Sequence, residues 1–108
     1  MADLGFEEMQ RLQRALQQRY SGKWPQLTPE EGRNKLLWLM AELGEVADIL
    51  KKQGVGAIAQ DAQARAHFTE ELADVLMYFN DVMLCYGISV EELREAFIAK
   101  HETNMTRW

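Results

Sequence analysis

Glu42 with Glu45 and Glu71 with Asp74 make two pairs of carboxylates, each pair three residues apart, on stretches that otherwise read as core-facing helices. Like charges at helical spacing repel, by about 0.2–0.5 kcal/mol per pair on an isolated helix, so something should compensate them. A hard divalent cation such as Mg²⁺ suits that role: it takes oxygen ligands and carries the charge that four clustered carboxylates lack.

The elements that must position these acids can be read from caps and periodicity. Asp3 can open a first helix, whose apolar marks Phe6, Met9, Leu12, Leu16 and Tyr20 recur at three- and four-residue intervals. Residues 21–27 break the period with Ser21, Gly22 and Pro25. Thr28, Pro29 and Glu31 then form a capping box with proline at the first helical position. The second helix is expected from Pro29 to about Lys52, with Lys51 and Lys52 at the negative end of its dipole and Gly54 as its cap. Gly54 to Gly56 read as a turn. A third helix begins between Ala59 and Thr69 and ends near Tyr86, with Gly87 as the stop. Ser89 and Glu92 make a second capping box, and the fourth helix carries Leu93, Phe97 and Ile98 inward toward Asn104. No strand pattern, low-complexity tract or solenoid repeat is visible.

Plotted at about 100° per residue, the second helix shows a main apolar face of Leu36, Leu39, Met40, Leu43, Val46, Ala47 and Leu50. Trp38, Glu42, Glu45 and Ile49 form a separate stripe roughly 120° away. On the third helix the main face is Phe68, Leu72, Val75, Leu76, Phe79, Val82 and Met83. Its second stripe is His67, Glu71, Asp74, Tyr78, Asp81 and Cys85. The offset has the same sense on both helices. An antiparallel hairpin packed through the main faces would therefore set both acid stripes on one side, because reversing an axis mirrors its rotation. Acid pairs alone also fit a solvated helix face, but such a stripe should not hold Trp38, Ile49, Tyr78 and Cys85. Leu37, Ala41, Ala73, Met77 and Leu84 leave further apolar flanks, which need covering by other helices or a second subunit.

Composition bounds the rest. The 108 residues suit one domain over 1–108 with a single core. A formal charge of −5 argues against nonspecific binding to a nucleic-acid backbone, and an anionic substrate would need local help. The lone Cys85 cannot build a disulfide framework, so a reducing cytoplasmic setting is expected. Asp3, Glu7 and Glu8 stand where a signal peptide would be basic, and the apolar run Leu36 to Ala41 is too short to span a bilayer. Neither His67 nor His101 follows a Glu by three residues, which removes a ferritin-like di-iron pattern. Structural zinc and the calcium loop are equally unsupported.

The segment NKLLWLMAELGEVADIL from Asn34 to Leu50, followed by EELADVLMYF from Glu70, resembles the ExxE and ExxD signature of the MazG-like nucleotide pyrophosphohydrolases, an all-α superfamily that includes the dimeric dUTPases. The ending AKHETNMTRW is similar to the run that closes the deoxycytidine triphosphate pyrophosphatase branch, matched by Lys100, Asn104, Arg107 and Trp108. The resemblance spans roughly residues 33–108 and implies an all-α, four-helix bundle with its active site on two antiparallel helices, completed by assembly into a homodimer or homotetramer. It implies Mg²⁺-dependent hydrolysis of a nucleoside triphosphate, deoxynucleotides included, to the monophosphate and pyrophosphate. Glu42, Glu45, Glu71 and Asp74 would be the metal ligands and Lys100 and Asn104 would contact phosphate or metal, with Arg107 as a second phosphate contact.

Within that reading Glu45 is favoured as the base that takes a water proton, and the Trp38 and Tyr78 rings, one turn either side of the acids, are candidates to border the nucleotide, against simple core or lid packing. Trp24 is a third candidate ring. Lys35 is either a phosphate contact or a surface cation, Asp81 a further site group, Cys85 an inert packed thiol, and His67 a neighbour of the site mouth. Two alternatives remain open: a phosphatase of the same fold that releases inorganic phosphate, and a noncatalytic helical module that senses a nucleotide or cation.

Overall fold

The computed structural model describes residues 3–108 and contains five helices: α1 Phe6–Arg19, α2 Pro29–Gln53, α3 Val55–Gln60, α4 Ala62–Cys85 and α5 Val90–Met105. No strand occurs among the described residues, so the all-α expectation holds with one helix more than expected. The additional helix is α3, in the stretch read as a turn and an open boundary. Its start has no side-chain cap to announce it, and Asp61 caps α4 by accepting from the Gln63 N–H at 3.0 Å.

The other ends follow local chemistry closely. Thr28 Oγ1 accepts from the Glu31 N–H at 3.3 Å, with Pro29 in the first turn. The reciprocal half of that box is missing, because the Glu31 carboxylate accepts from Asn34 instead. At α5 the box is complete, with both Ser89–Glu92 bonds at 3.0 Å. The end of α4 is a Schellman turn: Ile88 N–H reaches Met83 O, Gly87 N–H reaches Leu84 O, and Gly87 adopts φ +65°. Only α1 departs from its expected cap, since Gly5 takes that position without a side-chain bond and Asp3 lies outside it.

The α2 and α4 helices pack along each other and run antiparallel, since Lys35 meets Asp81, Glu42 meets Glu71, and Ile49 shares a cavity wall with Ala64. Their contact does not use the expected main faces. Val46 and Ile49 are buried and Lys35, Leu39 and Glu42 are half-buried, whereas Leu36, Met40, Leu43 and Leu72 stay exposed. Helix α2 is thus rotated so that its acid stripe lies in the seam. Leu36, Met40 and Leu43 of its larger apolar face look outward, where only another surface could cover them, while most of the main face of α4 is half-buried or buried.

The α1 helix lies on α4, with Phe6 edge-on to Phe79 at 6.0 Å between centroids. It is also turned from the expected face: Gln10 and Gln13 are buried while Leu12 and Leu16 are exposed. The reason is polar pairing, since Gln13 donates to Asp81 at 2.9 Å and Gln10 donates to the Met83 sulfur at 3.6 Å. The expectation that α5 points Phe97 and Ile98 inward fails as well. Phe97 is 71% exposed and Ile98 50%, because α5 lies along none of the other helices.

Candidate metal centre

Helix α2 supplies Glu42 and Glu45 from successive turns, and α4 supplies Glu71 across the seam. One carboxylate oxygen from each lies within 4.8 Å of the other two. Glu42 and Glu71 are half-buried while Glu45 reaches solvent. The inner oxygens, Glu42 Oε2 and Glu71 Oε2, are buried and have no hydrogen-bond partner. Burial, and then the proton-sharing and charge of Glu45 and Glu71, push the Glu42 carboxyl up from 4.5 to about 7. A divalent cation fits this arrangement: the donors are all hard oxygens, two of them lack any partner, and their mutual repulsion is what a positive charge removes.

Asp74 is half-buried one turn beyond Glu71 and lies outside the group of three. Its charge still reaches the centre's border. The Tyr78 phenol is raised, first by burial and then by Glu42, Asp74, Asp81 and Glu45. On the other flank His67 Nε2 stands 3.6 Å from Glu71 Oε1 and is largely exposed. A cavity of about 590 Å³ opens beside the acids, walled by Glu45, Asp48, Ile49, Ala64, His67 and Glu71, and it is large enough for a small molecule.

The remaining candidates divide. Tyr78 borders the acids and has the Lys35 ammonium 5.6 Å from its ring centre. Trp38 is 57% exposed on α2. Trp24 stacks on Tyr20 at 4.4 Å and lies 5.9 Å from the Lys35 ammonium. Lys35 is therefore no surface cation: it pairs with Asp81 at 3.3 Å. Cys85 is buried, and burial, followed by Asp81, raises its thiol, as suits an inert packed group. Lys100, Asn104 and Arg107 are exposed, on α5 and just beyond it, with Arg107 over the Trp108 ring at 4.9 Å. Because α5 packs along neither α2 nor α4, one chain does not bring these three to the acids.

Sequence reasoning missed Gln13, which completes the Lys35–Asp81 pair from α1. The only available signal was a polar residue one helical turn from Met9 and Gln17, which reads equally well as solvent-facing.

The profile of a family described as dATP/dGTP pyrophosphohydrolase matches residues 33–108, including both acid pairs and the whole α5 tail. No curated protein and no solved structure is significantly similar to the chain. Paired acids on α2 and α4 and the extent of that match lead to one conclusion: the chain belongs to the dATP/dGTP pyrophosphohydrolase family, a group of MazG-like nucleotide pyrophosphohydrolases.

Proposed function

We propose that this protein hydrolyses a purine deoxynucleoside triphosphate between its α and β phosphates, giving the monophosphate and pyrophosphate with Mg²⁺ as cofactor. The observation that carries the reading is the Glu42–Glu45–Glu71 group with its two orphaned inner oxygens. The purine is taken from the family's description.

Glu42, Glu45 and Glu71 would hold the cation, with Asp74 joining from the next turn. When bound, Mg²⁺ supplies positive charge to the leaving pyrophosphate and makes a coordinated water more acidic. Glu42 must give up its shared proton for that site to form, since its carboxyl is half-protonated near neutrality without metal. Glu45 is the exposed member of the group, which supports it as the base that would accept a proton from an attacking water. Tyr78 borders the same acids and is half-buried beside them.

A second copy of the chain completes this picture. The exposed Leu36, Met40, Leu43, Phe97 and Ile98 need a cover, and Lys100 and Asn104 on the same unpacked α5, with Arg107 just beyond it, would be delivered to a partner's phosphates. A reducing cytoplasmic setting, with a role in trimming the deoxynucleotide pool, suits the buried free thiol. No described helix is long and apolar enough to cross a membrane.

The test is product analysis with dGTP and dATP in the presence and absence of Mg²⁺. Pyrophosphate and monophosphate are expected from at least one of them, only with metal. Inorganic phosphate as the sole product would indicate the phosphatase alternative, and no turnover across all nucleotides would indicate a sensor.

A further inference from the structure

Beyond the metal-side acids, the α2–α4 seam holds a second polar group that phosphate chemistry leaves unused. Lys35 and Asp81 pair at 3.3 Å with side chains only 16% and 9% exposed, and Asp81 takes a further bond from Gln13 at 2.9 Å. A buried ion pair is a poor way to hold two helices together, because desolvation offsets most of the attraction and an apolar pair would serve as well. Its position suggests another use. Asp74 and Asp81 are seven residues apart on α4, about 10 Å of helix at 1.5 Å per residue, and Tyr78 lies between them. The Lys35 ammonium lies over both Tyr78 and Trp24, the two rings that border this end of the seam. Passing along α4, the chain thus presents carboxylates for a cation and phosphates, then a flat ring, then an acceptor beside a cation. A nucleotide presents the complementary groups in the same order.

We infer that Gln13, Lys35 and Asp81 form the element that reads the edge of the nucleobase, with Asp81 as its principal acceptor; this rests on the pyrophosphohydrolase reading above. An ionised carboxylate has about four lone-pair positions, and two are used here, so it can accept further N–H groups. Guanine offers two adjacent donors, the ring N1–H and the 2-amino group, next to the O6 acceptor. The donors suit Asp81 and O6 suits Lys35. Adenine offers one amino donor beside an acceptor nitrogen and would use a single Asp81 oxygen. The flexible Lys35 stem lets its ammonium leave the ring faces when a base takes that place, and Trp24, 40% exposed on the loop before α2, stands at the opening. Gln13 lies outside the residues 33–108 shared with the family, so the group that orients Asp81 belongs to the part of the chain the family profile does not cover.

The experiment is a kcat/KM panel of dGTP, dITP, dATP and dCTP for the wild type and Asp81→Asn, with Mn²⁺ affinity and melting temperature measured on both. In the wild type, dITP, which lacks only the 2-amino group, is expected to be about tenfold poorer than dGTP. In Asp81→Asn the dGTP value should fall about ten- to hundredfold while dATP falls much less, so the ratio between them collapses, with Mn²⁺ affinity unchanged. Equal losses for every base would show that the pair only packs helices, and would overturn the inference. Equal wild-type turnover of dITP and dGTP would do the same without any variant. Failure to release pyrophosphate from any nucleotide would instead strike the parent reading and this one together.

Discussion

Replacing Glu42 by Gln tests the metal centre without relying on turnover. In the metal-free protein burial and two neighbouring carboxylates raise Glu42 from 4.5 to about 7. The folded state therefore holds this proton more tightly than the unfolded chain, and stability falls as pH rises between those values. At about 1.4 kcal/mol per pH unit the full effect is about 3 kcal/mol, and solvent reaching the half-buried site reduces it to about 1–2 kcal/mol. That contribution is complete below about pH 4.5 and gone above about pH 8. An amide at the same position never ionises. Urea unfolding in EDTA should show the wild type losing about 1–2 kcal/mol relative to Glu42→Gln between about pH 5 and about pH 8.5, with the variant the more stable at the upper end. Added Mg²⁺ should then restore the wild type at high pH, by about 2.7 kcal/mol at a hundredfold excess over its Kd, and restore the variant far less. A wild-type-minus-variant difference that does not change with pH would refute the clustering of charge at Glu42, whatever the activity of either protein.

Two further outcomes probe the surfaces around the site. Gly44 sits inside α2 with open space where a Cβ would go, so Gly44→Ala should stabilise the fold by about 1 kcal/mol in thermal melts, and a lowered melting point would show that something packs there. Light scattering should give the wild type a mass that is a multiple of 12.5 kDa, and Met40→Lys, which charges the exposed α2 face, should shift it toward the single chain; a wild type that is already monomeric would end the second-copy reading.

Much of this architecture was legible because helix ends are decided locally. Thr28 with Pro29, Ser89 with Glu92, and Gly87 each act within a few residues, and each ends or begins a helix where expected. The Glu42–Glu45 and Glu71–Asp74 pairings were legible for a related reason, since their spacing depends on one helical period, but the expected convergence across helices rested on a main-face packing that α2 does not use. Rotation about the helix axes was not legible. A wheel ranks faces by hydrophobicity, and the most apolar face of α2, Leu36 with Met40 and Leu43, is the one that this chain leaves uncovered. The same failure on α1 has a polar cause, because Gln13 is buried by a bond to a residue 68 positions away. No local pattern encodes such a partner.

That rotation has a chemical consequence. Had the apolar faces closed on each other, the acids would have stood on an open flank, solvated and close to ordinary carboxylate titration. With the acid stripe in the seam, the α2–α4 contact itself contains the charge repulsion, and the inner oxygens of Glu42 and Glu71 are cut off from water. The hairpin must then draw its cohesion from Val46, Ile49, Met83 and the α1 contacts beside the acids. Its strain is relieved by a proton on Glu42 or by a cation between the helices. Proton and metal compete for the same oxygens, so cation affinity should weaken about tenfold for each pH unit below about 7, the slope expected when one proton leaves per ion bound. Mn²⁺ titrations across that range measure this directly, and an affinity that ignores pH would mean the ion binds away from Glu42.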